Sequence, residues 1–368
     1  MNIGIPKERR PYEFRAGISP AGVRLLTESS HVCYVERGAG LGAGFTDEDY
    51  VRAGARIAYT PEEAWGRAQM VLKVTRPTAA ELEWVVPRQI LMGFLYLAAG
   101  HPGKTALLLE KEVTAIAYEM IQLPDGSQPV LKPLSQIGGR MALHMAGQAL
   151  TNDHGGNGVM LGSVPGVAPA EVVIIGGGVA GEHAARSFLG VGAHVTILDR
   201  DLARLQFLAE VLPGRLVTLV SHPFNIERAC SFADVVVGAV AVPGQRTPVV
   251  LTRETLRKMR PGAVFVDISI DGGGCAETSR PTSHHSPSYV EEGIVHVCVP
   301  NLPGVVARTS THAFLNAAWP YIQRVADAGA DEAITSDPVL ARGVQTHRGV
   351  ATNLRHVEYA KKVGTEGP

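Results

Sequence analysis

The chain has 368 residues, of which 45% are hydrophobic and 19% are charged, and its 34 basic and 35 acidic residues leave a formal charge of −1. This length predicts two domains, because single hydrophobic cores stop growing well below it. The balanced charge argues against a nucleic-acid-binding protein and against a polybasic membrane patch.

The first third of the chain alternates strand-like and helix-like segments, which is typical of a parallel sheet. Its strand-like runs are 31–35, 69–74, 90–97 and 113–118. A glycine-rich segment, Gly38–Gly44, follows the first run but lacks the G-x-G-x-x-G spacing of a nucleotide-binding loop. We interpret it as a structural loop, after which Thr46 caps a helix with Asp49 three residues on.

A helical segment around 138–147 and a polar loop at 151–158 precede a second series of strands and helices. Its predicted strands are 172–175, 194–198, 217–220, 235–240, 263–270 and 295–299, and helices follow from Thr309 onward. The whole pattern predicts an α/β protein with two domains.

The strongest local signal is the β-branched run Val172–Ile175 leading into a G-x-G-x-x-G loop and a helix. Gly176 permits the tight turn, Gly178 lets the backbone approach a pyrophosphate, and Gly181 lets helix and strand pack closely. The exposed N–H groups of the helix N-terminus then bind the pyrophosphate. The predicted cofactor-binding residues of this loop are Gly176, Gly178, Val179, Ala180 and Gly181.

An acidic residue, Asp199, ends the next predicted strand at about the 20-residue offset expected for a group that binds the ribose hydroxyls. An acid at this position repels a 2′-phosphate, so the pattern predicts NAD rather than NADP, although Arg200 follows at once. The alternative is a glycine-rich turn in an ordinary βα unit.

Seven segments spread over most of the chain resemble alanine dehydrogenases. They are 1–8 (ending I-G-I-P-K-E), 13–23, 38–50, 158–169, 271–282, 301–304 and 308–311. The resemblance implies a Rossmann dinucleotide-binding domain (131–304) inserted in a second α/β domain that binds substrate (1–130 and 305–368). It also implies a homo-oligomer, commonly a hexamer, that converts L-alanine, NAD and water to pyruvate, ammonium and NADH. The transhydrogenase soluble domain and saccharopine dehydrogenases are more distantly similar.

The resemblance assigns substrate binding to two cations. Arg15 matches the family's arginine for the substrate carboxylate, which a planar guanidinium can bind through two hydrogen bonds. Lys73 interrupts the apolar run Met70–Val74, where a lysine is rarely buried without a partner, and the family's lysine contacts the carboxylate or carbonyl oxygen. The alternatives are a solvated surface arginine and an edge-strand lysine that limits aggregation.

Asp271 closes the predicted strand 263–270 and precedes three glycines. Because ligands of open α/β sheets bind beyond the carboxyl ends of strands, Asp271 is expected at the site, and the family's aspartate is the acid/base group near the nicotinamide. The alternative is an aspartate that caps a glycine turn. Asp267, inside the predicted strand, is interpreted as structural.

Three further positions are expected to touch the cofactor. Ser135 and Asn301 match family positions that do so. Val240 ends the predicted strand 235–240 and, with its neighbours, is expected to wall the adenine or nicotinamide ribose.

One position departs from the family. Where the family has Tyr-Leu-His-Leu-Ala-Ala, this chain has Phe94-Leu95-Tyr96-Leu97-Ala98-Ala99, so Tyr96 replaces the histidine expected as catalytic partner. A tyrosine with a pKa of about 10 donates a hydrogen bond but is no cationic acid at neutral pH. His101, in a predicted loop, is the alternative proton donor. The replacement predicts weak alanine turnover.

The remaining features bear on location and cofactors. Residues 1–8 lack a signal-peptide core, no apolar run reaches the roughly 18 residues of a membrane span, and no cysteines form a CxxC pair, so we expect a cytoplasmic protein with reduced thiols. No metal is expected, because His284, His285, His296, Cys275 and Cys298 show no zinc spacing.

Three functions remain open at this point. They are oxidative deamination of L-alanine, the same chemistry on another small amino acid, 2-oxo acid or imine, and binding of NAD without turnover. The third is disfavoured, because a protein without turnover has no physical reason to keep costly charges in a cleft.

Overall fold

A computed structural model of the chain describes residues 1–99, 102–242 and 246–354. The chain forms two compact units, here called unit 1 and unit 2. Unit 1 comprises Met1–Leu134 together with the chain from Gly304 onward, and unit 2 comprises Ser135–Pro303.

The strands of the described residues are numbered in chain order: β1 (Asn2–Ile5), β2 (Val32–Glu36), β3 (Arg56–Ala58), β4 (Met70–Thr75), β5 (Ile90–Phe94), β6 (Thr114–Ala117), β7 (Glu171–Ile175), β8 (His194–Asp199), β9 (Leu216–Val220), β10 (Val235–Gly238), β11 (Val264–Asp267), β12 (Ser288–Glu291), β13 (Ile294–Val297), β14 (Val344–His347) and β15 (Val350–Ala351). The α-helices are α1 (Pro20–Glu28), α2 (Asp47–Arg52), α3 (Pro61–Gly66), α4 (Ala79–Glu83), α5 (Pro102–Glu110), α6 (Lys132–Ala149), α7 (Val179–Gly190), α8 (Leu202–Val211), α9 (Pro223–Phe232), α10 (Arg253–Arg257), α11 (Ala307–Ala328), α12 (Ala330–Ser336) and α13 (Pro338–Gly343).

The sheet of unit 1 has the strand order β15-β14-β6-β5-β4-β1-β2-β3. Strands β1 to β6 pair in parallel, and β14 joins the edge strand β6 in the antiparallel sense. Parallel strands are covered on both faces and are therefore apolar throughout, as the fully buried strand β5 shows. The carboxyl ends of β1, β4, β5 and β6 consequently lie side by side along one edge of this sheet.

The sheet of unit 2 has the order β12-β13-β11-β10-β7-β8-β9, with only β12 antiparallel. Numbered within the unit, its six parallel strands follow the order 3-2-1-4-5-6 of dinucleotide-binding folds. Ligands of such sheets bind where the order reverses, here between β7 and β10. The α/β class and the mostly parallel sheets predicted from the sequence are confirmed.

Local signals fix several helix starts. Ser19 caps α1 ahead of Pro20, and Thr46 caps α2 in a reciprocal arrangement with Asp49. The segment Gly38–Gly44 therefore leads into a capped helix, as predicted, and contains only a 3-10 turn at Leu41–Ala43.

Five strands end earlier than predicted: β6 and β13 by one and two residues, and three others where a side chain binds the backbone beyond the last strand residue. Strand β5 ends at Phe94 rather than 97, β10 at Gly238 rather than 240, and β11 at Asp267 rather than 270. In each case a side chain takes over the backbone N–H groups that a longer ladder would have used. The N–H of Val240, for example, donates to Ser269 Oγ at 2.8 Å.

None of the helices in the described part of the chain is long and apolar enough to cross a membrane.

Candidate active site

The glycine-rich loop of unit 2 connects β7 to α7 and has the backbone shape that its glycines predict. Gly176 has a φ of +103°, and a Cβ there would come within 2.3 Å of the carbonyl oxygen of Ala239. A Cβ on Gly181 would come within 1.8 Å of the carbonyl oxygen of Gly176. Gly178 is the N-cap of α7. A Cβ built on it would have no atom of the neighbouring structure within 4 Å. The loop is thus closed toward the protein and open at the helix N-terminus, where a pyrophosphate would bind.

Asp199 ends β8 directly beside this loop. Its Oδ2 accepts the N–H of Gly177 at 2.6 Å, and its Oδ1 accepts the N–H of Asp201 at 2.9 Å. Arg204 donates from Nε to the carbonyl oxygen of Gly177 at 2.5 Å and forms an ion pair with Glu182 at 2.7 Å. The backbone N–H and carbonyl oxygen of Gly177 are therefore both hydrogen-bonded by side chains of the protein. This fixed loop lowers the entropic cost of binding a dinucleotide.

Helix α6, which carries Ser135 in its first turn, packs beside the same loop. A Cβ on Gly139 would come within 2.1 Å of the carbonyl oxygen of Ala180, so α6 packs directly against the first turn of α7. Ser135 lies four residues before Gly139, on the same helix face. The sequence pattern indicated a helix here only around 138–147, because its first turn has little apolar periodicity.

Asp271 does not close a strand, contrary to the prediction. It lies in a 3-10 turn, Ile270–Gly272, four residues beyond the end of β11. Its carboxylate accepts the N–H of Asn301 at 3.2 and 3.3 Å, and Asn301 has a left-handed φ of +53°. The structure thus brings two of the predicted site residues together, beyond the carboxyl end of β11.

Asp267 is buried and holds the loop that carries Asp271. It accepts N–H bonds from Ser269 and Cys275, both at 2.9 Å, and a hydroxyl bond from Ser279 at 2.5 Å. Burial raises the pKa of Asp267 against the effect of these donors. All of its described partners are local, which supports its interpretation as structural.

Arg15 lies in the loop after β1 and is only 3% exposed, so the alternative of a solvated surface arginine is wrong. Its Nε and Nη2 donate to the two carboxylate oxygens of Glu13 at 2.7 and 2.5 Å. The loop is fixed on two sides. The N–H of Ala16 donates to Thr311 Oγ1 of α11, and Gly17 packs against the backbone of Leu72 and Lys73.

Lys73 is fully buried in β4, which pairs with β1 on one side and β5 on the other. The alternative of an edge-strand lysine is therefore wrong. Its Nζ lies 2.6 Å from Glu81 Oε1 and 3.1 Å from Glu8 Oε2. Burial opposes ionisation of Glu81, but the charge and hydrogen bond of Lys73 together with hydrogen bonds from Thr78 outweigh it and lower the pKa of that carboxyl. The β4–β5 register shifts between Leu72 and Thr75, so the ladder is irregular where this lysine lies.

Tyr96 lies two residues beyond the end of β5, has a φ of +43° and is 44% exposed. The N–H groups of Leu95 and Tyr96 donate to the two oxygens of Glu119, at 3.1 and 2.6 Å. A left-handed tyrosine is strained, so this buried carboxylate holds the backbone of the loop. His101, the alternative proton donor, lies outside the described residues.

Glu119 is buried, and burial raises its pKa to about 7 against the hydrogen bonds of Tyr96 and Leu95 and the charge of Arg76. Because the folded-state pKa exceeds the unfolded value of about 4.3, folding takes up a proton between these pH values and stability falls as pH rises through this window. Compared with Glu119→Gln, the wild-type free energy of unfolding should drop by up to about 1.4 kcal/mol per pH unit between roughly pH 5 and 7. Denaturant titrations of both proteins from pH 5 to 8 measure this difference, and parallel curves would contradict it.

Four carboxylates that support the candidate residues escaped the sequence analysis: Glu8, Glu13, Glu81 and Glu119. The role of Glu13 could have been predicted, since an acid two residues from Arg15 is close enough in sequence to pair with it. A buried lysine also requires an acid, but the sequence does not show which one.

Three of the five side chains considered as metal ligands contact other side chains: His296, Cys275 and Cys298. His296 is buried, shares a hydrogen bond of 2.8 Å with Thr278 and stacks on Tyr289. Cys275 and Cys298 are buried free thiols. Within the described ranges, no group of three or more His, Cys, Asp or Glu side chains is placed to hold a metal ion.

Comparison with known proteins gives consistent results over the whole chain. The family described as "Alanine dehydrogenase/PNT, N-terminal domain" matches residues 4–138, and "Alanine dehydrogenase/PNT, C-terminal domain" matches residues 142–354. An alanine dehydrogenase of Methanococcus maripaludis is 45% identical over 353 residues, covering 96% of this chain and 94% of its own length. Another, of Halomonas elongata, is 44% identical over 372 residues, covering 99% and 100%.

Solved structures are similar as well. One L-alanine dehydrogenase superposes with a TM-score of 0.92 at 43% identity, covering 95% of this chain and 96% of the other. A transhydrogenase from Sinorhizobium meliloti has a TM-score of 0.81 at 24% identity, with 95% and 98% coverage, and shares the fold.

Proposed function

Because this chain belongs to the alanine dehydrogenase/PNT family, we propose that it catalyses the NAD-dependent oxidative deamination of L-alanine to pyruvate and ammonium, and the reverse reaction. The observation that supports this most is the pairing of two features in one chain. Unit 2 carries a preformed pyrophosphate loop with Asp199 beside it, and unit 1 buries two cations, Arg15 and Lys73, each against carboxylates.

In this proposal, residues 1–130 and 305–368 bind substrate and residues 131–304 bind the cofactor. The fixed guanidinium of Arg15 binds the substrate carboxylate, since its fork matches a carboxylate in geometry and charge. Lys73 binds the carboxylate or the carbonyl oxygen. Glu13, Glu8 and Glu81 hold these cations in place, so little side-chain entropy is lost when substrate binds.

Asp271 takes the proton that leaves when the amine is converted to an imine and water adds, and it returns the proton in the reverse direction. The N–H of Asn301 orients its carboxylate. The hydroxyl of Tyr96 donates to the carbonyl oxygen. The chemistry that bound NAD would supply is acceptance of the hydride from the α-carbon of the amino acid.

The cofactor contacts follow from unit 2. The backbone of Gly176, Gly178, Val179, Ala180 and Gly181 would hold the pyrophosphate, and Asp199 would accept hydrogen bonds from the ribose hydroxyls. Ser135, Val240 and Asn301 would complete the binding surface. We also propose a cytoplasmic homo-oligomer. The hexamer is inferred from the family resemblance, and the compartment from four buried free cysteines.

Removing the charge of Asp199 should relax the preference for NAD over NADP. Asp199→Ala should reduce the preference by about 1–3 kcal/mol, because a charged hydrogen bond to the ribose and the repulsion of a 2′-phosphate are both lost. Asp199→Asn is the matched variant, since it keeps the side-chain volume and one acceptor for the loop. Titration of each protein with NADH and NADPH measures the ratio of dissociation constants. Equal binding of both cofactors by the wild type would refute the assignment.

Exchanging Tyr96 tests the departure from the family. General acid–base help contributes roughly 10²–10⁴-fold, so alanine turnover by the wild type should be low and Tyr96→His should raise kcat. Tyr96→Phe, which removes only the hydroxyl, should lower kcat further. If the wild type turns over alanine rapidly and Tyr96→Phe leaves kcat and KM unchanged, the hydroxyl of Tyr96 has no catalytic role and the side chain contributes only packing.

The reaction itself is tested by NADH formation with a panel of L-amino acids, with D-alanine and NADP as controls. We expect L-alanine to give the highest kcat/KM with NAD. A higher value for another small amino acid would support the second candidate function, because the Tyr96 substitution changes the group expected to contact substrate. No NADH with any amino acid would refute both.

A further inference from the structure

Three cationic side chains meet at the carboxyl edge of the unit 1 sheet, apart from Arg15 and Lys73. Arg10 lies in the loop after β1, Arg76 directly follows β4, and Lys104 lies in the first turn of α5, which follows β5. Arg10 Nε donates to the carbonyl oxygen of Arg76 at 3.0 Å, and Lys104 Nζ donates to that of Pro77 at 3.1 Å. Arg10 and Lys104 thus bind the consecutive carbonyls of Arg76 and Pro77, so both cations lie beside the segment that carries Arg76.

These three cations differ from three other buried or half-buried cations of unit 1, whereas Lys111 resembles them in donating to backbone carbonyls, those of Leu82 and Val85. Arg9 is paired with Glu36, Arg15 with Glu13, and Lys73 with two carboxylates. In the described part of the chain, no carboxylate forms an ion pair with Arg10, Arg76 or Lys104.

The charges of this cluster repel one another. Partial burial and the nearby charge of Arg76 lower the pKa of Arg10, and burial with Arg10 and Arg76 lowers the pKa of Lys104. At Arg10 these effects outweigh the attraction of Glu81 and Glu8, and at Lys104 they outweigh the attraction of Glu81. Like charges held this close destabilise the fold unless an anion offsets them.

We propose that Arg10, Arg76 and Lys104 form a binding site for a small anion that carries a carboxylate or phosphate group. The two guanidinium groups present planar donors that suit carboxylate and phosphate oxygens, and the ammonium adds a point charge.

Such an anion has two sources with the same chemistry. It is either a second acidic group on a substrate whose first carboxylate binds Arg15, or a separate anion such as phosphate. The three cations of this site are not assigned to the proposed alanine reaction, and only the first of the two sources rests on the proposed role of Arg15.

The test measures anion binding directly, by calorimetric titration of the full-length protein with inorganic phosphate, succinate and butyrate. Low ionic strength is needed, since exposed charges are screened by salt. Phosphate or succinate should bind more tightly than the monoanion butyrate, and Arg76→Gln or Lys104→Gln should weaken that binding roughly tenfold or more. Arg88→Gln is the matched control. Arg88 precedes β5 at the opposite edge of the sheet and pairs with Glu112, so its loss should leave anion affinity unchanged.

Repeating the titrations with pyruvate present separates the two sources. Displacement of succinate by pyruvate indicates an acidic substrate group, and phosphate binding that pyruvate does not displace indicates a separate anion. The inference is wrong if no dianion binds, or if Arg88→Gln weakens binding as much as Arg76→Gln. Pyruvate turnover without anion binding would overturn only this inference, and anion binding without turnover would overturn only the proposed function.

Discussion

Replacing Lys73 by methionine should lower the free energy of unfolding by about 3–5 kcal/mol, because it leaves two buried carboxylates without their cation. Glu8 and Glu81 both lie within ion-pair distance of the Lys73 ammonium. Each also accepts a backbone N–H, from Val74 at 2.6 Å and from Thr78 at 2.8 Å. The carboxylates are therefore built into the loops around β4 and cannot turn toward water without breaking these bonds. Denaturant titration measures the loss.

Two variants separate charge pairing from packing. Lys7→Met removes an exposed lysine of the same unit and should change stability by less than about 0.5 kcal/mol. Adding Glu81→Gln to Lys73→Met should recover part of the loss, because one uncompensated charge is then removed. If Lys73→Met is as stable as the wild type, the buried charge cluster does not exist in solution.

Replacing Asp271 by asparagine should lower kcat for alanine by roughly 10²–10⁴-fold, the usual contribution of a general acid or base. Asparagine retains an oxygen that accepts the N–H of Asn301, so the turn and NADH affinity should be preserved. Steady-state kinetics together with NADH titration separates these effects. A variant that keeps wild-type kcat would assign Asp271 to the turn rather than to proton transfer.

Asp234→Asn provides the control for that experiment. Asp234 is a buried carboxylate that precedes β10, where it accepts the N–H of Glu171 at 2.9 Å and pairs with Arg260. It lies at the amino end of the strand, opposite to the edge that binds ligands. Its loss should lower stability but leave kcat within a few fold.

The sequence predicted the features whose signal is local. The glycine loop, the strand before it and Asp199 lie within one βαβ unit, so their spacing alone specifies how they meet. Lys73 could be recognised as unusual because a charge interrupts an apolar run.

Partners that are distant in sequence could not be predicted. Glu8 is 66 residues from Val74 and Glu119 is 23 residues from Tyr96, and only the order of parallel strands brings each pair together. The end of β5 was misplaced for the same reason, since the distant Glu119 binds the N–H groups beyond Phe94. Strand β11 ends at Asp267 for a local reason, because the carboxylate of Asp267 itself accepts the N–H of Ser269. Apolar periodicity continues past these points and carries no information about such contacts.

The most direct test of the proposed function is NADH oxidation with pyruvate and ammonium, supplied together and separately. Reductive amination needs both, because the imine forms only from the oxo acid and the amine and must form before hydride transfer. We predict that NADH is consumed only when both are present, with L-alanine formed in equal amount. NADH consumption with pyruvate alone at the same rate, or no consumption with both, would contradict the assignment of this chain as an alanine dehydrogenase.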